Sequence, residues 1–441
     1  MPLDPRAKRF LDRLAALNPP SVLALTVSER RRGLEQLLGF AGPGEPVAQI
    51  EERTLPGPSA MPLALRIYRP VAAAAPAPAL VYFHGGGLVA GSLDTHDPIC
   101  RALTNASACV VLSVGYRLAP EFPFPAAIAD GCHATAWVAA HAEELGVDRR
   151  RLGVCGDSAG ATLAAVVCQT LVDAGEVKLA LQFLLCPILD FGAVTASRRD
   201  YGSGYLVDQA TLDHDLQHYL GADGDPTHPR VSPARVADVS GLPPTCIHTA
   251  EFDPLRDEAV EFATRLRAAG VQTTYICHSG MIHLFYGLGQ LIPYAATAWQ
   301  LIGTDIRNVL QGNSMTQRLE IEKLLSELYA ARVEGQLDRL CVLFAEQASF
   351  KIAGASDGKP IAIAARGSTE IRAWLAMMLK TFKLNRYEQL GVVIEGARAS
   401  VHWRVDIHSK ITGVIVPTEL VDLVDVSDGK ISGYREFFAP C

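Results

Sequence analysis

Apolar residues recur in distinct rhythms along the chain, and the rhythm changes twice. Over residues 1–45, RFLDRLAAL and RRGLEQLLGF space their apolar residues three and four apart, which predicts two helices with a polar face. From about residue 48 to 305, short apolar runs alternate with helix-like segments. The runs are ALRIYRP, ALVYFH, CVVLSVGYR, RLGVCGDS, LALQFLLCP, PTCIHTAEF and TTYICHS. PAAIADGCHATAWVAAHAEEL and EAVEFATRLRAAG stand among the helices between them. Such a succession predicts an α/β domain: a mostly parallel sheet covered by helices on both faces. Residues 192–240 break the succession with a polar, partly helical insert after a strand, where a lid over a site is expected.

The second change falls near NVLQGNSMTQ, residues 308–317, where Gly312, Asn313 and Ser314 interrupt two helical segments. Beyond it helices come first, RLEIEKLLSELYAARVEGQLDRLCVLF and then STEIRAWLAMMLKTF. A run of strands follows: YEQLGVVIEG, ARASVHWRVDIHS, GVIVPTELVDLVDVSDG and KISGYREFF. Strands in succession without crossovers predict an α+β domain with an antiparallel sheet. The expected organisation is an N-terminal helical segment over 1–48, an α/β domain over 49–307 that contains the 192–240 insert, and a small domain over 315–441.

Composition narrows the function classes. At 441 residues, 49% hydrophobic and 20% charged, the chain is ordinary for a globular protein of two to three domains. A formal charge of −7 argues against nucleic acid or an anionic membrane as partner. VAAAAPAPALVYF is too short and proline-broken to span a bilayer, which needs roughly 20 apolar residues, and MPLDPRAKRFLDRL lacks an apolar signal core. Ten cysteines are scattered without a CxxC pair or metal-like spacing, and Cys109, Cys155, Cys186, Cys246 and Cys277 fall in strand-like runs. Buried, reduced thiols in a cytoplasmic protein are expected, with no metal and no organic cofactor.

The candidate chemistry starts at RLGVCGDSAGATLAAVV, where a strand enters Gly156-Asp157-Ser158-Ala159-Gly160 and an alanine-rich helix leaves it. Small residues on both sides of Ser158 suit a sharp turn that exposes a nucleophilic hydroxyl. A serine needs a base to take its proton, and the base needs an orienting partner, expected in chain order carboxylate then histidine. PTCIHTAEFDPLRDEA offers Glu251, Asp253 and Asp257; TTYICHSGMIHLFYG offers His278 and His283. Position alone leaves these choices open. Upstream, LVYFHGGGLVAGS runs from a strand into His84 and Gly85-Gly86-Gly87. A glycine run is costly in conformational entropy, and here it lets backbone amides point at the oxyanion of an acyl transfer.

HGGG at 84–87, GYRLAPEFPFPAA at 115–127, GDSAG at 156–160, EFDPLRDEA at 251–259 and GMIH at 280–283 together resemble the hormone-sensitive lipase family of α/β-hydrolases, over roughly residues 1–305. The resemblance implies Ser158 as nucleophile, Asp253 as orienter and His283 as base. It implies Gly86, Gly87 and the Ala159 amide as oxyanion donors, with His84, Gly85 and Asp157 supporting them. The N-terminal helices and the 192–240 insert would form the cap, and Arg117 and Glu121 would support their turn. Three positions depart from the family's pattern: Ala161 replaces a usual glycine, Phe122 a usual histidine before PFP, and Leu284 the glycine after the catalytic histidine. The implied activity is hydrolysis of short- to medium-chain carboxylic esters through an acyl-enzyme, the ester being the small-molecule partner.

Residues 315–441 resemble the SnoaL-like branch of the NTF2-like superfamily, through two opening helices, ARGSTEIRAWLAMML and the closing strands to SGYREFFAP. The resemblance implies a cone of curved sheet around a pocket, and a homodimer formed through this domain. Along ASVHWRVDIHS, period two puts His402, Arg404 and Asp406 on one face and Val401, Trp403, Val405 and Ile407 on the other. The polar face either lines the cone or meets solvent, and no compelling acid–base pair stands out. Two readings compete with the esterase: a small-molecule binding protein on a hydrolase fold, and a two-activity enzyme whose small domain transforms the product.

Overall fold

The computed structural model describes residues 2–58, 61–71, 75–310, 315–356, 359–395, 397–427 and 429–440. Gly312, Asn313 and Ser314, and residues 72–74 within VAAAAPAPALVYF, lie outside the described residues. The chain divides into two compact units, Met1–Gly312 and Asn313–Cys441.

The first unit opens with α1 (Pro5–Ala16) and α2 (Val27–Leu38). Asp4 caps α1 by accepting from the amides of Arg6 and Ala7, and Thr26 with Glu29 forms a reciprocal capping box on α2. The Asp4 amide itself donates to the Gly280 carbonyl at 2.9 Å, tying the start of α1 to the far end of the domain. Strands β1 (Gln49–Pro56) and β2 (Pro62–Arg69) form an antiparallel edge. There follow β3 (Ala77–Phe83), α3 (Asp97–Ser107), β4 (Val110–Gly115), α4 (Ala126–Ala140), β5 (Val147–Asp157), α5 (Ala159–Ala174) and β6 (Leu181–Leu185). The insert supplies α6 (Ala196–Tyr201) and α7 (Gln209–Leu220). The unit ends with β7 (Thr245–Phe252), α8 (Arg256–Ala268), β8 (Thr273–Ile282) and α9 (Tyr294–Leu310).

The eight strands lie in the order β1-β2-β4-β3-β5-β6-β7-β8, parallel from β4 onwards. β3 is buried along its whole length, as a central strand covered on both faces must be. Parallel strands share one carboxyl edge, so the loops after β3, β5, β7 and β8 open on the same side. Register fixes their neighbours. Phe83 pairs Gly156, which brings His84-Gly85 beside Asp157; Phe252 pairs Ile282, which brings Asp253 beside His283.

The second unit comprises α10 (Met315–Glu334), α11 (Leu337–Cys341), β9 (Phe344–Ser356), β10 (Lys359–Arg366), α12 (Gly367–Thr381), β11 (Phe382–Glu395), β12 (Arg398–Ser409), β13 (Ile415–Ser427) and β14 (Lys430–Pro440). Two expectations need correction. A hairpin, β9–β10, stands between the helices, so strands do not wait until the helices are finished. The sheet, ordered β10-β9-β14-β13-β12-β11, is mixed, because β14 runs parallel to β9 while its other pairings are antiparallel.

The faces of β12 also settle one alternative. Val401, Trp403 and Val405 are buried in the small core, while Arg404 is exposed and His402 and Asp406 are partly so. The polar face therefore meets solvent and does not line an interior. Polar groups are buried elsewhere: Asp422 Oδ2 accepts from Tyr329 Oη (2.6 Å), Tyr434 Oη (2.7 Å) and Trp403 Nε1 (3.0 Å). Arg332 donates to the neighbouring Glu436 at 2.5 Å and stacks over Trp403. Burial pushes the Asp422 carboxyl well above the ordinary carboxylate range.

Candidate active site

Ser158 sits between β5 and α5 at φ 52°, ψ −125°, a region that a non-glycine residue occupies only when its surroundings impose it. Its amide donates to the Leu185 carbonyl at 2.8 Å. The turn closes tightly: a side chain on Gly160 would strike the Phe83 and His84 carbonyls, and one on Gly156 would strike Gly160. Ala161, where a glycine was the expected family residue, is fully buried and fits.

His283 follows β8. Its Nδ1–H donates to Asp253 Oδ2 at 2.8 Å, which leaves Nε2 to accept from Ser158 Oγ at 3.1 Å. Asp253 Oδ1 accepts the Leu255 amide at 2.9 Å, so the carboxylate is oriented by the turn that opens α8. Burial alone would lower the His283 pKa; the Asp253 charge and hydrogen bond outweigh it, and the net shift is upward. Leu284 adopts φ 64°, the left-handed conformation that glycine takes freely, so the departure at this position leaves the backbone path intact at a cost of about 1–2 kcal/mol of strain.

The other sequence candidates lie elsewhere. His278 Nε2 is 3.0 Å from His248 Nδ1, and its Nδ1 3.2 Å from Tyr294 Oη; burial and His248 push its pKa down to about 3. Glu251 accepts the Gly280 amide (2.7 Å), and Asp257 accepts the Ser197 amide (2.8 Å), fastening the insert to α8. Arg117 holds Asp130. Glu121 pairs with Arg31 of α2 at 2.7 Å, and the same guanidinium donates to the Ala119 carbonyl, which ties this turn to the N-terminal helices.

Gly86 and Gly87 have φ of 119° and 69° and line the cavity beside Ser158, while Ala159 begins α5, whose N-terminal amides favour negative charge. Asp157 anchors their loop by accepting the Gly85 amide (3.0 Å), Tyr286 Oη (3.1 Å) and Tyr82 Oη. His84 stacks on Tyr116, and burial pushes its pKa down to about 3, so it stays neutral. Tyr82, Tyr286 and His96, whose Nε2 is 3.6 Å from Asp157, carry no motif that sequence reading could have found.

The cavity, about 230 Å³, is walled by apolar residues of the N-terminal segment (Val22, Leu25, Leu34, Leu37) and of the insert (Leu206, Val207, Leu212), with Arg30 and Asp215 among them. Among the described residues one group has metal-like donor spacing: Cys186, Asp253 and His283, within 4.8 Å of one another. Its His283–Asp253 pair already holds a proton between them, and burial raises the Cys186 pKa well above the ordinary thiol range, a poor match to a cation site.

Residues 80–287 match the profile of the α/β hydrolase fold family, and residues 325–434 that of the SnoaL-like domain. The carboxylic ester hydrolase LipN of Mycobacterium tuberculosis is 42% identical over 57% of this chain and 68% of its own length. Ethyl acetate hydrolase of Pseudomonas putida is 37% identical over 62% and 87%. The chain belongs to the hormone-sensitive-lipase-like α/β-hydrolases. Among solved members of this fold, an ester-hydrolase from the metagenome of Lake Arreo superposes with a TM-score of 0.67 at 39% identity, covering 69% of this chain and 98% of its own. The hyperthermophilic esterase of Pyrobaculum calidifontis gives 0.66 at 38%, covering 70% and 99%. These hydrolase matches cover the first unit, and the SnoaL-like domain is appended to it.

Proposed function

We propose that the first unit hydrolyses carboxylic esters of short to medium acyl length through a Ser158 acyl-enzyme. The unbroken hydrogen-bond chain Ser158–His283–Asp253, opening into an apolar cavity, carries this reading. In it, His283 Nε2 takes the Ser158 proton as Oγ attacks the ester carbon. The oxyanion rests on the amides of Gly86, Gly87 and Ala159. The alcohol leaves with the proton from His283, and water repeats the sequence on the acyl-enzyme. Relatives named for carboxylic ester, ethyl acetate and aryl ester hydrolysis support the substrate class.

The cavity volume, below the roughly 300–1,000 Å³ of drug-sized sites, favours short chains. With p-nitrophenyl esters, kcat/KM is expected to peak at or below about six carbons and to fall at least about 100-fold by palmitate. Equal turnover of palmitate and butyrate would overturn the chain-length assignment.

For the second unit the reading is a homodimer module. Val421 and Phe437 pair across β13 and β14 on the outer face of the sheet and are 38% and 46% exposed, with Val393 on β11 67% exposed. Replacing Val421 and Phe437 together with lysine is expected to convert a dimer to a monomer in light scattering. A doubly substituted chain of unchanged mass would remove the assembly role from this face. No helix among the described residues is long and apolar enough to cross a membrane, and the nine described cysteines are all free, which supports a reducing, cytoplasmic setting.

A further inference from the structure

The cavity wall holds an ion pair that the proposed reaction does not use. Arg30, on α2, donates to Asp215, on α7, in a two-point contact: Nη2 to Oδ2 at 2.8 Å and Nε to Oδ1 at 3.2 Å. The side chains are 15% and 6% exposed, and both residues line the same cavity as Gly86, Gly87, Ser158 and His283. His214 Nδ1 is 3.1 Å from Asp215 Oδ1. The Asp215 carboxylate also lies directly against the α-carbon of Gly87: a side chain at that glycine would run into Oδ2.

A carboxylate so close to Gly87 is electrostatically unfavourable for a site that must accumulate negative charge on the Gly86 and Gly87 amides. Like charges in a water-poor cavity repel more strongly than in solvent, and the repulsion acts on the transition state more than on a neutral bound ester. The guanidinium removes that penalty. We propose that Arg30 is a positioning residue for the ester hydrolysis, whose role is to neutralise Asp215 beside the oxyanion site while joining the two halves of the cap. The inference rests on the assignment of Ser158 and the glycine amides made above.

The proposal differs from a plain latch in its asymmetry. A latch is broken equally by removing either partner. Charge compensation is lost only when the cation goes, and it is no longer needed once the anion has gone too. With p-nitrophenyl butyrate, Arg30→Met is expected to lower kcat about 10- to 100-fold with KM changed less than about threefold. Asp215→Asn alone is expected to cost far less in kcat, and Arg30→Met/Asp215→Asn to recover most of the loss. A double variant as slow as, or slower than, Arg30→Met would overturn the proposal, as would a loss confined to KM. Should Arg30→Met fail to fold, Asp215→Asn still decides: a kcat loss above about tenfold in that variant would indicate a latch. Ser158→Ala, assayed alongside, separates the two levels. Wild-type turnover there would sink the underlying mechanism, whereas a Ser158→Ala variant slowed by about 10⁴-fold or more leaves the cycle reporting on Arg30 alone.

Discussion

Ser158→Ala is expected to lower kcat/KM for a short p-nitrophenyl ester by about 10⁴- to 10⁶-fold, the loss typical when a nucleophile that acts as one unit with its base is removed. The fold should be unaffected. The Ser158 amide keeps its bond to the Leu185 carbonyl, and alanine tolerates φ 52° no worse than serine does. The hydroxyl itself has one partner, His283 Nε2 at 3.1 Å, so its loss orphans no buried donor. Equal circular dichroism and melting temperature, with activity gone, is the anticipated pair of results. A well-folded Ser158→Ala chain that retains wild-type turnover would place the chemistry outside this turn.

The second large effect concerns the base. His283→Ala should cost about 10⁴-fold or more, while His278→Ala leaves a Ser158-dependent esterase, because His278 faces His248 and Tyr294 and not Ser158. The pH dependence adds a signed test. In the proposed role His283 accepts a proton only when neutral, and the Asp253 charge raises its pKa above the ordinary 6.5 in opposition to burial. The acid limb of kcat/KM should therefore lie above pH 6.5, with activity lost as pH falls through it. Asp253→Asn removes the main opposing charge and leaves burial opposed only by the smaller effect of Asp157, so the limb should move down even as the plateau drops. An upward move of the limb in Asp253→Asn would contradict the assignment of Asp253.

Much of this site was legible because its parts are local. The strand-like runs ALVYFH, RLGVCGDS and PTCIHTAEF stop at or just before His84, Ser158 and Asp253, so these candidates stand where the runs end, whereas TTYICHS stops at Ser279, short of Ile282 where β8 ends. The choice between His278 and His283 was not legible from spacing: it depends on the pairing of Phe252 with Ile282, which is a tertiary fact. β1 was missed because QIEERTLP is an edge strand whose mostly solvent-facing residues lack an apolar run. The parallel β9–β14 pairing joins the first and last strands of the small sheet, so no local pattern announces it. Asp422 reads as one more polar residue in LVDLVDV. Its burial becomes visible only when Tyr329, Trp403 and Tyr434 arrive from three other elements. The Arg30–Asp215 contact is hidden for the same reason, since its partners come from α2 and from α7 of the insert.

The bond from the Asp4 amide to the Gly280 carbonyl has a consequence for synthesis on the ribosome. The helix that Asp4 caps is made first, yet its docking partner, next to the loop that carries His283, is made roughly 270 residues later. At about 5–20 residues per second, α1 waits some 14–55 s for that partner. The sheet can begin to assemble from β3 onwards while the chain grows, but Ser158 lacks His283, its proposed base, until β8 is complete. Catalytic competence should accordingly arrive in one late step, when β8 completes and α1 gains its docking partner beside the loop that carries His283.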